Sequence, residues 1–269
     1  MDIPIFITHW TKLSERKKKL VKRMNEEGLS GTFIEKYDSQ DLDLDSELCS
    51  KFGNHLKYNT GFKGKTVISL FLKHIECYRL MIEKNIPLLL ILEDDALLDD
   101  NFKNKFDNYV KQLPDNWNCL CIGNGCNLHI NSDRFKELKP PNVYLKSTKK
   151  IYGEGVGLFR CTDSYLINLK TAKEIYEHFQ KCPINGHKIG DGIDIWLNKF
   201  SSNMNYNIYW SEPTIVSQGS QNGTFLSTIN INYHDITKYK NKTNNKVDNN
   251  ITQEDVYRKL LNDEDVSLN

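Results

Sequence analysis

The sequence predicts an α/β fold with a mostly parallel central sheet flanked by helices. Three observations carry that expectation. Short aliphatic runs alternate with amphipathic segments of helical period along most of the 269 residues. The strongest run, Leu88-Leu-Leu-Ile-Leu92 after Pro87, has no polar position, as in a strand buried on both faces. No internal repeat interrupts the pattern, and no window reaches the ~18 apolar residues of a membrane span.

The elements follow in order. Ile3-Pro-Ile-Phe-Ile7 reads as a buried strand, and Ser14 as the N-cap of a helix from Glu15 to Glu27 that Gly28 stops. Gly31 to Tyr37 alternates well enough for a second strand. Residues 39–64 read as loop with a short helix near Ser46 to Phe52. From Thr66 to Lys84, Ile68, Phe71, Leu72, Ile75, Tyr78 and Ile82 share one helical face. The aliphatic strand follows, then a helix from Phe102 to Leu113 and a strand from Asn118 to Ile122, closed by Gly123-Asn-Gly125. Residues 127–150 read as loop, and Gly153-Glu154-Gly155 lacks the spacing of a phosphate cradle. A strand from Tyr165 to Asn168, helices over 171–180 and 191–200, and a strand from Asn207 to Trp210 complete the set, with Trp196 and Trp210 expected in the core. Residues 1–240 are expected to form one domain. Residues 241–269 read as a polar linker and a short helix opened by the capping box Thr252-Gln-Glu-Asp255.

Charge and cysteine content narrow the function. Lys and Arg number 36 against 35 Asp and Glu, a net charge of +1, so no nucleic-acid partner is expected. The basic run Arg16 to Lys19, with Lys22 and Arg23, reads more readily as a solvated helix face than as a phosphate or lipid contact. Seven cysteines without a CxxC pair suggest free thiols in a reducing compartment, and Cys119, Cys121 and Cys126 fit no zinc spacing. The start, MDIPIFITHW, is too short and acidic for a secretory leader, so a soluble intracellular protein is expected, in host cytoplasm if its source is viral. The sequons at Asn222, Asn241 and Asn250 read as chance in an Asn-rich stretch.

The chemistry-bearing feature is Glu93-Asp94-Asp95, which ends the aliphatic strand. Ligands of α/β sheets bind beyond the carboxyl ends of strands. Continued extended chain would put Glu93 and Asp95 on one face and Asp94 on the other. Two carboxylates on one face suit Mn²⁺ or Mg²⁺, with water and phosphate completing the shell. The competing reading is a turn cap plus a lysine pair.

Strand, acidic triplet and apolar return together resemble the metal-binding core of glycosyltransferase family 25. Other segments resemble that family in the same order. Ile5 to Arg16 is similar to its opening V-I-N-L-x-R strand and loop, and Gly64 to His74 with Tyr78 to its G-E-x-G-C-x-x-S-H-x-x-x-W helix. Thr162 to Ala172 resembles its Y-L-I-S-x-x-G-A stretch, Ile193 to Leu197 its P-V-D-x-x-L segment, and Glu212 to Gln218 with Ser227 its closing P-x-x-V-x-Q stretch. Lys65, Lys73, Thr8 and Asn168 depart from the pattern. The first two leave open a non-catalytic sugar- or protein-binding relative.

The resemblance implies a GT-A-type nucleotide-sugar fold. It also implies Mn²⁺-dependent transfer of galactose or glucose from a UDP-hexose to a glycan or protein hydroxyl acceptor, usually with inversion. On that reading Glu93 and Asp95 hold the metal. Thr8, Arg16, Asp38, His74, Asp94 and Gln218 serve the donor. Asp194, or Asp191 one turn before it, is the base. Each has a plainer reading: helix N-terminal charge for Asp191 and Asp194, a satisfied core histidine for His74, a surface cation for Arg16, loop polarity for Asp38, and local turn bonding for Gln218.

Overall fold

Alternation along the strands decides how the layers assemble. The structure, a computed structural model, describes residues 3–58, 62–130, 142–146 and 157–225. In strand β3 (Leu88–Glu93), Leu89 and Ile91 enter one apolar core while Leu90 and Leu92 enter another. Strand β1 (Ile5–Thr8) divides likewise, Phe6 to one side and Ile5 and Ile7 to the other. A strand with no polar face needs cover on both faces, and the helices supply it.

The remaining elements are helix α1 (Ser14–Glu26), strand β2 (Thr32–Ile34), and helices α2 (Asn54–Tyr58) and α3 (Phe62–Glu83). After β3 come strand β4 (Ala96–Leu98), helix α4 (Phe102–Val110), and strands β5 (Cys119–Cys121), β6 (Asn142–Lys146) and β7 (Ser164–Asn168). Helices α5 (Leu169–Lys181) and α6 (Ile193–Asn203) precede strands β8 (Ile208–Glu212) and β9 (Val216–Gln218). Seven strands form one sheet in the order β2-β1-β3-β7-β5-β8-β6. β1 is parallel to β2 and β3, and β5 to β8, whereas β7 opposes both its neighbours and β6 opposes β8. Five of the seven strands therefore run one way. β4 and β9 form a separate antiparallel pair.

On one face α3 packs with α5 and α6. Phe71, fully buried, meets Phe52 and Trp196 edge-on, with ring centroids 5.2 and 5.1 Å away. On the other face Leu20 and Met24 of α1 join Phe102, Phe106 and Tyr109. Each such side chain stabilises the fold by roughly 1.5–3 kcal/mol on burial. Trp196 and Trp210 are core residues, as predicted.

Local chemistry shifts several expected boundaries. Ser14 is the first residue of α1 and not its cap, and Leu13 precedes it without a side-chain cap bond. Gly28 (φ 65°) does end that helix, adopting the left-handed conformation glycine tolerates. α3 starts before Thr66, and α6 starts at Ile193, so Asp191 lies outside it. β6 occupies part of the stretch read as loop. Asn168 caps α5, its Oδ1 accepting from the Thr171 amide, 2.9 Å. The expected tail linker and helix, Gly153 to Gly155, Ser227, and the sequons at Asn241 and Asn250 lie outside the described residues.

A buried ion pair pins β8 to the chain entering β7. The Arg160 guanidinium donates to Glu212 Oε1 and to the Gly123 and Ser211 carbonyls, 3.2 and 3.1 Å, and covers the Trp210 ring at 4.2 Å. Removing one partner strands the other charge in the core. Glu212→Ala is expected to cost about 3–5 kcal/mol in urea unfolding. A loss under ~1 kcal/mol would show that the pair is not a structural fastener.

Candidate active site

Because β1 and β3 are parallel with Thr8 opposite Glu93, both chains leave the sheet at one edge. After Glu93 the chain does not continue as a strand. Asp94 and Asp95 form a turn, and β4 carries the chain back beside β9. The triplet therefore bends through a turn, which replaces the alternation assumed from the sequence. β9 delivers Gln218 and Ser220 to the same edge. Gly219 is required there, since a Cβ would stand 2.9 Å from the Asp95 carbonyl and 2.5 Å from Phe225. Together these segments wall a cavity of about 630 Å³ whose lining includes Thr8, Arg16, Glu93, Asp94, Asp95, Asp194 and Gln218.

The three acids have different surroundings. Asp94 Oδ1 accepts from Arg16 Nη1, 2.8 Å. Its Oδ2 lies 2.9 Å from His9 Nδ1 and accepts from the Trp10 amide, 3.3 Å. Burial opposes ionisation of Asp94, but the Arg16 guanidinium and His9 outweigh it and hold the carboxyl at about 2. Asp95 Oδ2 accepts from the Ser220 amide, 3.1 Å, while Oδ1 is buried without a hydrogen-bond partner among the described residues. Burial, then the charges of Glu93 and Asp94, push Asp95 up to about 6 despite Arg16 nearby. Glu93 is half-buried. Its Oε1 accepts from Thr162 Oγ1, 2.9 Å, and lies 3.6 Å from His74 Nε2.

A fourth carboxyl, Asp163, stands behind them and was not singled out in the sequence. It is fully buried, and burial and then Glu93 raise its pKa well above the carboxylate range. Ser164 Oγ donates to it, 3.0 Å. Gly123 and Gly125 leave it room, since a Cβ at either would fall within 2.5 Å of its oxygens. Two glycines closing a buried strand were the available signal. His9 and Thr162 were also missed, because their roles depend on contacts 85 and 69 residues apart.

The other expected residues divide between wall and interior. Thr8 Oγ1 and Gln218 Oε1 have no hydrogen-bond partner among the described residues, and both residues line the cavity. Arg16 is buried, not a surface cation, and its guanidinium lies 5.3 Å from the Phe225 ring centroid. Asp38 is turned inward to Lys73 Nζ, 2.7 Å, and to Thr11. His74 is fully buried behind the wall, its Nδ1 2.9 Å from the Tyr165 hydroxyl. Asp194 lines the cavity at the start of α6, its Oδ1 accepting from the Ile195 amide, 2.8 Å. Asp191 is not part of the wall and pairs with Lys199 instead. Lys65 and Lys73, which depart from the family pattern, fasten α3: Lys65 donates to the Leu42 carbonyl, 3.0 Å, and Lys73 to the Lys36 carbonyl, 3.0 Å.

The donor set suits a hard cation only in part-hydrated form. Among the described residues no three His, Cys, Asp or Glu side chains converge as a ready ligand set. Glu93 and Asp95 offer two carboxylates, one with a buried oxygen lacking a donor among the described residues. Mg²⁺-type ions are commonly held by one or two carboxylates plus phosphate and water, so these residues fit such an ion.

The sequence model of glycosyltransferase family 25, described as LPS biosynthesis protein, matches residues 2–189. No curated protein matches the chain. Among solved structures, similarity extends to mouse xyloside xylosyltransferase 1 in its apo form, at 14% identity over 77% of this chain and 84% of that one, TM-score 0.39. A197 from STIV has 13% identity over 78% and 81%, TM-score 0.35. A glycosyltransferase involved in the glycosylation of the major capsid of PBCV-1 has 13% identity over 79% and 95%, TM-score 0.35.

Adjacent acids should respond oppositely to neutralisation. The lowered Asp94 pKa stabilises the fold above its unfolded value near 3.8, and that stability is lost as pH falls toward 2. The raised Asp95 pKa does the reverse: the folded state binds the proton more tightly, so stability falls as pH rises from 3.8 toward 6. In chelator-treated buffer at pH 7.5, Asp94→Asn should destabilise by about 3 kcal/mol by stranding Arg16. Asp95→Asn should stabilise on the order of 2 kcal/mol, an advantage that vanishes below pH 4. Urea titrations giving both substitutions the same sign would refute this assignment.

Proposed function

The chain belongs to glycosyltransferase family 25 and is a sugar-transferring enzyme, and from that footing we propose that it moves galactose or glucose from a UDP-sugar to a hydroxyl of a glycan or protein, with inversion. One observation carries the assignment of the site. Of three consecutive acids at the sheet edge, Asp94 is saturated by Arg16, His9 and the Trp10 amide, whereas Asp95, beside Glu93, keeps a buried oxygen without a donor among the described residues. Structural acids are paired, and an unpaired one in a cavity marks a binding function.

Glu93 and Asp95 would hold Mn²⁺ or Mg²⁺, which when bound neutralises charge on a diphosphate leaving group. The protein's own groups do the rest. Arg16, fixed by Asp94, keeps positive charge on the cavity wall where an anionic donor enters. Thr8 and Gln218 bring to the same wall polar atoms with no partner among the described residues, suited to sugar or ribose hydroxyls. Asp194 is the acceptor's base. The Ile195 amide orients its carboxylate, which lines the cavity from a different element than the triplet. Asp94 acts by positioning, through Arg16, and His74 by standing behind Glu93, its Nε2 3.6 Å from Glu93 Oε1.

UDP release from UDP-galactose and UDP-glucose, measured with and without Mn²⁺, tests this reading. Asp95→Ala should remove metal-dependent turnover, and Asp194→Asn should lower kcat by about 10²–10⁴ while leaving donor KM nearly unchanged. Wild-type turnover by Asp95→Ala would take that residue out of the mechanism.

A further inference from the structure

Two cysteines 35 residues apart meet on the cavity wall. The Cys161 thiol donates to Cys126 Sγ at 3.3 Å, with Cys126 exposed and Cys161 half-buried. Both backbones sit in the left-handed region, φ 54° and 60°, which non-glycine residues adopt rarely. The two turns approach closely because Gly125 has no side chain, and a Cβ there would stand 2.6 Å from that of Cys161. Gln221 Nε2 also donates to Cys126 Sγ, 3.4 Å. The other five cysteines are buried. Cys161 is followed by Thr162, whose hydroxyl holds Glu93.

Resting on the sugar-transfer reading of this cavity, we propose that Cys126 and Cys161 are a reversible oxidation site, a dithiol that closes to a disulfide and lowers turnover while closed. A peroxide oxidises the exposed Cys126 first, transferring one oxygen to sulfur to give the sulfenic acid and releasing water. Cys161 then attacks that sulfur. The S–S bond forms, the S–O bond breaks, and the departing hydroxide takes the Cys161 proton and leaves as a second water. Overall two thiols lose two electrons to one peroxide. The sulfurs must close from 3.3 Å to the ~2.05 Å of the bond. That movement shifts the chain next to Thr162, whose hydroxyl holds Glu93.

The test is hydrogen peroxide at small molar excess on the full chain, followed by alkylation and peptide mass spectrometry. A dithiothreitol-reversible cross-link between the Cys126 and Cys161 peptides is expected, with two fewer alkylatable thiols and no cross-link in Cys126→Ser or Cys161→Ser. Separate sulfinic acids without a cross-link would overturn the site whether or not the enzyme turns over. In parallel, oxidation should lower UDP-sugar turnover about tenfold to a hundredfold, the scale of an ångström-sized misplacement, with recovery on reduction. A complete cross-link with unchanged turnover would overturn the regulatory half. A cross-link formed in a protein with no sugar-nucleotide turnover under any condition would instead count against the sugar-transfer reading.

Discussion

The buried ion pair between Arg16 and Asp94 is the contact on which the site depends. Three consecutive acids at the end of a strand with no polar face would repel one another, and each would be costly to desolvate. Arg16 reaches in from the first turn of α1, and His9 and the Trp10 amide from the loop after β1. The middle charge is thereby neutralised, and the loop after β1 is tied to the turn after β3. Without that pair, Glu93 and Asp95 would face an unscreened neighbour, and the turn that aims them would lose its anchor.

The pair also sets the division between frame and working surface. Lys73 does for Asp38 what Arg16 does for Asp94: it buries a carboxylate by pairing it, and so connects α3 to the loop after β2. Burial lowers the Lys73 pKa, and the bonds to Asp38 act against that. Asp163 is held toward its neutral form by burial and by Glu93, against the opposing charge of Arg160. At the cavity, Asp95 keeps one oxygen without a hydrogen-bond partner among the described residues, beside a half-buried Glu93. A fold that tolerates such a group gives up stability for it, as functional sites commonly do.

Much of this was legible in the sequence, for physical reasons that can be named. Leu88 to Leu92 had to be a doubly covered strand because it offers water no polar face, and α3 was fixed by the spacing of Ile68, Phe71, Leu72 and Ile75. The acidic triplet pointed to the edge proposed as the site because it contradicts its own surroundings. Partners were not legible. Nothing near Asp94 in sequence announces Arg16 or His9, and Lys73 read as a departure from a pattern before its bond to Asp38 gave it a structural role. β7 could not be oriented, because its apolar run suits a parallel or an antiparallel strand equally. Asp191 and Asp194, equivalent on a helix begun at residue 191, were separated by a helix that begins at Ile193.

The most direct measurement is an anomalous difference map, collected at the manganese edge from crystals grown with Mn²⁺ and UDP. A single strong peak in contact with an Asp95 carboxylate oxygen is expected, with Glu93 beside it and Asp94 still on Arg16. A peak bound to Asp94 with Arg16 displaced, or no ordered manganese at this edge while UDP is present, would contradict the assignment of Glu93 and Asp95 to the metal.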